Sequence, residues 1–241
     1  MGKKLLAVGI GGLFFLTGCS NFWTHFSSHT SQNSQVLLQG KMWRMKGMEE
    51  EKRGNLSQAI EDYKKGCQLD DGPSCFSLGV IFALGKGVSR DMEEAKEYFK
   101  KSRPLTEEQC KKGDGRACTD LGLIYQQGLG IDRDLGKAKE LFSRGCQLQD
   151  SAGCVDLGVL CIIGLEIPKN PEKAKELFSR GCQLGSSAGC GNLGIMYFKG
   201  DGVEKNFQKA LDYFQKGCKL GSPINCERAE YLKKHMVARG E

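Results

Sequence analysis

Hydrophobic and polar positions fall into two alternating patterns along most of the chain. In the first, a cysteine is followed by leucine at +3, glycine at +4 and an aromatic residue at +7, as in Cys75/Leu78/Gly79/Phe82, Cys118/Leu121/Gly122/Tyr125 and Cys190/Leu193/Gly194/Tyr197. A fourth copy, Cys154/Leu157/Gly158, carries Cys161 at +7. Positions +0, +3 and +7 share one helical face, so each copy predicts an amphipathic helix. The glycine at +4 lets a neighbouring helix approach closely, at a propensity cost of roughly 1 kcal/mol. A Gly-x-Gly-Val turn follows at Gly85-Lys86-Gly87-Val88 and Gly200-Asp201-Gly202-Val203. The second pattern starts near Asp91, Asp134, Asn170 or Asn206, all residue types that favour helix N-caps. It places alanine and phenylalanine four apart: Ala95/Phe99, Ala138/Phe142, Ala174/Phe178 and Ala210/Phe214.

The two patterns recur with a fixed period. KAKELFSRGCQL stands unchanged at residues 137–148 and 173–184, and the first cysteines of the last four pairs are 36 residues apart. The step from Cys67 to Cys110 is 43, a period plus a seven-residue insertion. Self-similarity at such a period marks a solenoid. The fold class is therefore all-α, an α/α superhelix with two short helices per unit.

Five cysteine pairs share one spacing: Cys67/Cys75, Cys110/Cys118, Cys146/Cys154, Cys182/Cys190 and Cys218/Cys226. The first of each pair lies in the last turn of one helix and the second in the first turn of the next. An antiparallel helix pair joined by a short turn brings the Cα atoms within the roughly 4.4–6.8 Å that a disulfide needs. Closing so short a loop contributes about 2.5 kcal/mol in the chain-entropy model. Zinc is the competing reading, but there is no C-x-x-C, and His25, His29 and His235 lie near the ends of the chain. Disulfides are the expectation, with no metal and no cofactor.

These C-x7-C pairs, the Leu-Gly-x-x-Tyr element, the Gly-x-Gly-Val turn and the Lys-Ala-x-x-x-Phe helix resemble the cysteine-rich Sel-one-like repeat proteins, which are similar in turn to tetratricopeptide (TPR) repeats. Most closely they resemble the Helicobacter cysteine-rich protein family, over about 200 of the 241 residues. The resemblance implies the solenoid fold, with peptide or protein partners in its groove. It also implies β-lactam binding or slow β-lactamase activity. The chain has no Ser-x-x-Lys, Ser-Asp-Asn or Lys-Thr-Gly, so the usual serine acyl-enzyme machinery is missing and no catalytic residue is assigned.

The amino terminus accounts for the cysteine content. Lys3 and Lys4 precede an apolar run over residues 5–16, too short to span a bilayer and readable as a signal-peptide core. Leu16-Thr17-Gly18-Cys19 looks like a bacterial lipobox, which makes Cys19 the lipidated residue. Export places the chain where disulfides persist. By analogy with other lipoproteins, Ser20 favours the outer membrane, facing the periplasm or the surface. Ten paired cysteines and Cys19 leave Cys161, at a position held elsewhere by aromatic residues. Its neighbours Leu160, Ile162 and Ile163 supply no base, so it reads as a free, inert core thiol rather than a reactive one. Without residues 1–18 the formal charge falls from +6 to +4, too modest and dispersed for nucleic acid.

The expected organisation is a signal peptide over 1–18, a lipidated cysteine and polar tether over 19–35, a repeat domain over 36–237 and a tail over 238–241. Units lie near 75–110, 118–146, 154–182 and 190–218. Trp43, Gly47, Gly54, Ala59 and Tyr63 mark an atypical, TPR-like first unit, and a helix from Arg228 to about Val237 caps the stack. His25 and His29, four apart, belong to the tether rather than to a metal site. Met42, Met45 and Met48 read as a packing face. Pro104, in the insertion at 101–108, should end or kink its helix. Gly164-Leu165-Glu166-Ile167-Pro168 replaces the usual turn in the third unit.

In helical-repeat solenoids the first helix of each unit lines the inner surface. Two residues after the second cysteine come Ser77, Asp120, Asp156 and Asn192, and seven further on come Leu84, Gln127, Ile163 and Lys199. They lie outside the Leu/Tyr stripe. Either they form a mixed strip that hydrogen-bonds an extended peptide, or they are merely solvated positions on repeated helices.

Overall fold

Each predicted pattern forms one helix. The computed structural model describes the backbone of residues 19–164 and 168–239, and side chains from residue 34 to residue 236 within them. The helices run α1 (Cys19–Arg53), α2 (Leu56–Gln68), α3 (Gly72–Leu84), α4 (Met92–Lys111), α5 (Gly115–Gln127) and α6 (Leu135–Gln147). They continue α7 (Ser151–Ile163), α8 (Pro171–Gln183), α9 (Ser187–Lys199), α10 (Phe207–Lys219) and α11 (Pro223–Arg239), with no strand among the described residues. The lipobox stretch over residues 1–18 and the Cys19, His25 and His29 side chains lie outside the described residues.

Local signals set the helix ends. The Asp91 side chain accepts from the backbone N–H groups of Glu93 and Glu94, and those of Asp134, Asn170 and Asn206 accept from Lys137, Lys173 and Lys209. Each satisfies a donor that the first helical turn leaves free. Gly85, Gly128, Gly164 and Gly200 end α3, α5, α7 and α9 in the left-handed region, at φ 67–79°. The third unit's altered turn closes as the others do: Asn170 N–H donates to the Cys161 carbonyl at 2.8 Å, as Asn206 does to Tyr197 at 2.9 Å. Its interior, residues 165–167, lies outside the described residues.

Consecutive helices pack antiparallel, and α1, α3, α5, α7 and α9 also touch one another in turn. They form the inner layer, and α2, α4, α6, α8 and α10 form the outer one. The repeated glycine makes this spacing work. A Cβ added at Gly79, Gly122, Gly158 or Gly194 would lie 2.5–2.6 Å from the ring of Phe99, Phe142, Phe178 or Phe214. The aromatic of each outer helix thus seats on the glycine of its inner partner.

All five cysteine pairs are bridged, with Cα separations of 4.5–4.7 Å. Each bridge joins the outer helix of one unit to the inner helix of the next. Cys161 is a free thiol, 7% exposed in the core, where burial pushes its pKa up.

Three expectations are corrected. Pro104 does not break its helix: α4 runs through it for 20 residues. Pro104 supplies no N–H for the Lys100 carbonyl four residues back, and Lys100 is an exposed residue. The added turns brace the α2–α3 turn, with Ser102 Oγ donating to the Gly72 carbonyl at 2.9 Å and Gln109 Nε2 donating to that of Asp70 at 2.7 Å. Met42 and Met45 are 54% and 67% exposed, so they are no packing face. Instead α1 packs through Gly40 and Gly47, where Tyr63 lies 2.8 Å from where a Cβ would stand. Finally, the backbone of α1 is helical through residues 20–35, the stretch expected to be a polar tether, where polar residues give no apolar period.

Candidate binding groove

The inner layer brings the sequence-predicted strip onto one face, in two chemically different halves. In the amino-terminal half the charged groups pair with one another, although Arg44 Nη1, Asp71 Oδ1 and Asp120 Oδ1 have no hydrogen bond of good geometry. Tyr63 Oη donates to Glu51 Oε2 at 2.8 Å, and Lys86 pairs with the other oxygen of that carboxylate. Burial raises Glu51, but the Lys86 and Tyr63 hydrogen bonds outweigh it and leave its pKa lowered. Ser77 hydrogen-bonds Tyr63, whose own pKa is raised by burial and by Glu51. Lys41 pairs with Asp114 at 2.8 Å, and Arg44 lies 3.5 Å from Asp71.

Asp120 belongs to this network rather than to an open strip. It has no exposed surface, and Arg116 Nε lies 2.9 Å from Oδ1, one helical turn away. Burial pushes its pKa up to about 6 against the pull of Arg116. Asp156, half-buried, is also raised to about 6, by burial first and then by the Asp150 carboxylate nearby. Gln127 and Leu84 are exposed at the carboxyl ends of their helices, as is Ile163.

The carboxyl-terminal half is open. Val159, Ile162, Phe178, Asn192, Ile195 and Lys199 line a hollow of about 150 Å³ between α7 and α9. A larger hollow of about 450 Å³ follows between α9 and α11, lined by Ile195, Phe198, Lys199, Phe214, Arg228 and Tyr231, with Glu227 at its rim. Here α11 does not close on α9 as the earlier inner helices close on one another. Arg228 follows Cys226 by two residues, the position of Ser77, Asp120, Asp156 and Asn192. His235 follows at the position of Lys199. Reading α11 as a mere cap hid both, although Cys226 marked the register.

Among the described residues no group of three or more His, Cys, Asp or Glu is placed to hold a metal ion. None of their helices is long and apolar enough to cross a membrane.

A stack of short helix pairs with one open face defines a helical-repeat protein, built to present a surface. The chain belongs to the Sel1 repeat family, whose model matches residues 72–103, 115–150, 151–186 and 187–222. Two Helicobacter pylori (strain J99 / ATCC 700824) proteins are similar to it. "Beta-lactamase HcpA" is 36% identical over 52 residues, 22% of this chain and 21% of that protein. "Putative beta-lactamase HcpE" is 34% identical over 91 residues, 38% of this chain and 22% of that protein. The chain thus spans about a fifth of the length of the curated relatives it matches. The Sel1 repeat protein from Oxalobacter formigenes shares the fold, with a TM-score of 0.53 and 23% identity over 80% of this chain and 75% of that one.

Proposed function

We propose that this protein is a lipid-anchored scaffold of the bacterial envelope that binds an extended peptide or protein segment along its concave face. The observation that carries the reading is the contrast within the groove. Asn192 and Lys199 line open hollows, while the polar groups at the other end are engaged with each other. Gln127 extends the exposed strip, and Ser77, Asp120 and Asp156 keep the amino-terminal half polar. Anchoring rests on the Leu16-Thr17-Gly18-Cys19 motif, with the outer membrane as the destination that Ser20 favours. The test is capture from envelope extracts by the oxidised chain with Cys19 replaced. A specific partner should be retained by that protein and lost with Asn192→Ala combined with Lys199→Glu. Retention indifferent to both changes would contradict the groove reading. Persistent labelling of Cys19→Ala by a fatty-acid analogue would contradict the anchor.

The second reading is β-lactam binding or slow hydrolysis, favoured by the names of the two Helicobacter relatives. A β-lactam resembles a short peptide and would occupy the same hollows. Turnover of a chromogenic cephalosporin that titrates with protein, and is abolished by one side chain without loss of thermal stability, would establish it.

A further inference from the structure

The crease between α7 and α9 recurs between α9 and α11. Val159, Ile162 and Phe178 of the first correspond, 36 residues on, to Ile195, Phe198 and Phe214 of the second. Asn192 and Ile195 are replaced in the same way by Arg228 and Tyr231. The second copy is larger and adds the aromatics Phe198 and Tyr231 and the cation Arg228, where the first has Ile162, Ile195 and Asn192 and carries Asp201 beside Lys199. Phe198 and Tyr231 are 37% and 58% exposed across its mouth.

Charge separates the two ends of the face. Lys41, Arg44, Lys86 and Arg116 each have a carboxylate partner at the amino-terminal end. Lys199 and Arg228 are exposed and have no ion-pair partner among the described residues. Glu227 is the one carboxylate lining the same hollow, so two cations leave it positive. Arg228 also lies 5.8 Å from the Phe214 ring centroid, which holds its guanidinium over the hollow's apolar floor. Asp156, on α7 one unit before Asn192, is a half-buried carboxylate of the same strip with no ion-pair partner among the described residues.

Building on the groove reading above, we propose that the α9–α11 crease is the anchoring subsite for an extended peptide carrying a large apolar side chain next to a carboxylate. The apolar side chain seats on Phe214 between Phe198 and Tyr231, and the carboxylate meets Lys199 and Arg228. A second apolar side chain, three residues away, enters the α7–α9 crease. Packed helices lie about 8–10 Å apart, a distance that a peptide in the polyproline II conformation covers in three residues at about 3.1 Å each while returning its side chain to the same face. Asp156 on α7 repels the carboxylate, so the peptide takes one direction.

The test is selection of random displayed 12-residue peptides on the oxidised full chain, followed by affinity measurement of the enriched peptides. Enriched sequences should place two large apolar residues three apart, with Asp or Glu beside one of them. Lys199→Glu combined with Arg228→Glu should weaken these peptides tenfold or more while the chain stays folded by circular dichroism, because both side chains are exposed. The same variant should select Lys or Arg in place of the acid. Peptides that bind this variant within twofold, but are lost with Asn192→Ala or Asp156→Asn, would overturn the subsite and leave the groove reading standing. No enrichment, or peptides indifferent to every groove variant, would overturn both.

Discussion

Asp120 and Asp156 follow their cysteines by the same two residues, yet only Asp120 has a cation within hydrogen-bond reach. Both carboxyls have a folded pKa of about 6, above the ordinary aspartate value. The folded chain therefore binds extra protons between about pH 4 and pH 6, and stability falls as pH rises through that window. Asp156→Asn should accordingly raise stability at pH 7.5 by on the order of 1 kcal/mol and change little at pH 4, as thermal melts at the two pH values would register. Asp120→Ala should instead cost about 2 kcal/mol, because it leaves the Arg116 guanidinium without its charged partner. Asn192→Ala, at an equivalent but open position, should stay within about half a kcal/mol. Gln149 supplies a fourth case. It sits at φ 65° where Gly113, Gly185 and Gly221 occupy the matching turns of other units, and it is exposed. Gln149→Gly should relieve left-handed strain and raise stability by a few tenths of a kcal/mol to about 1 kcal/mol.

At the scale of helices, the account depends on neighbours contacting only neighbours. Each disulfide ties one outer helix to the inner helix of the next unit, so its loss should act locally. Replacing Cys182 and Cys190 by serine should lower hydrogen-exchange protection in α8 and α9 by up to about 2.5 kcal/mol while leaving α2 and α3 nearly unchanged. Pro104→Ala should restore a backbone bond in α4 and stabilise the protein by about 1–2 kcal/mol, read as a shift in denaturation midpoint. Helix identities, caps and cysteine partners were legible in the sequence because each follows from a local period or a fixed offset. Pro104 was misread because tertiary contacts on either side of it, Ser102 to Gly72 and Gln109 to Asp70, hold α4 against the α2–α3 turn, which local sequence does not encode. The methionines of α1 misled for a related reason: apolar spacing marks a face, but Gly40 and Gly47 decide which face another helix can reach.

At the scale of the whole molecule, the strip positions were found by register, but their environments depend on how successive units stack. The sequence places Asp120 and Asn192 at one offset. Only the packed solenoid buries the first beside Arg116 and leaves the second in an open crease. Arg228 was hidden although the same offset from Cys226 reaches it, because α11 lacks an outer partner and was taken only as a cap. The central claim is that the inner layer, and not the outer, meets the protein's partner. Site-specific photo-crosslinking in intact envelopes tests it most directly, with p-benzoylphenylalanine placed at Gln127 or Lys199 of the inner layer and at Glu176 or Asp212 of the outer one, all exposed. The account predicts a discrete adduct from Lys199, weaker or no adduct from Gln127, and none from Glu176 or Asp212. Adducts from the two outer positions with none from Lys199 would contradict it.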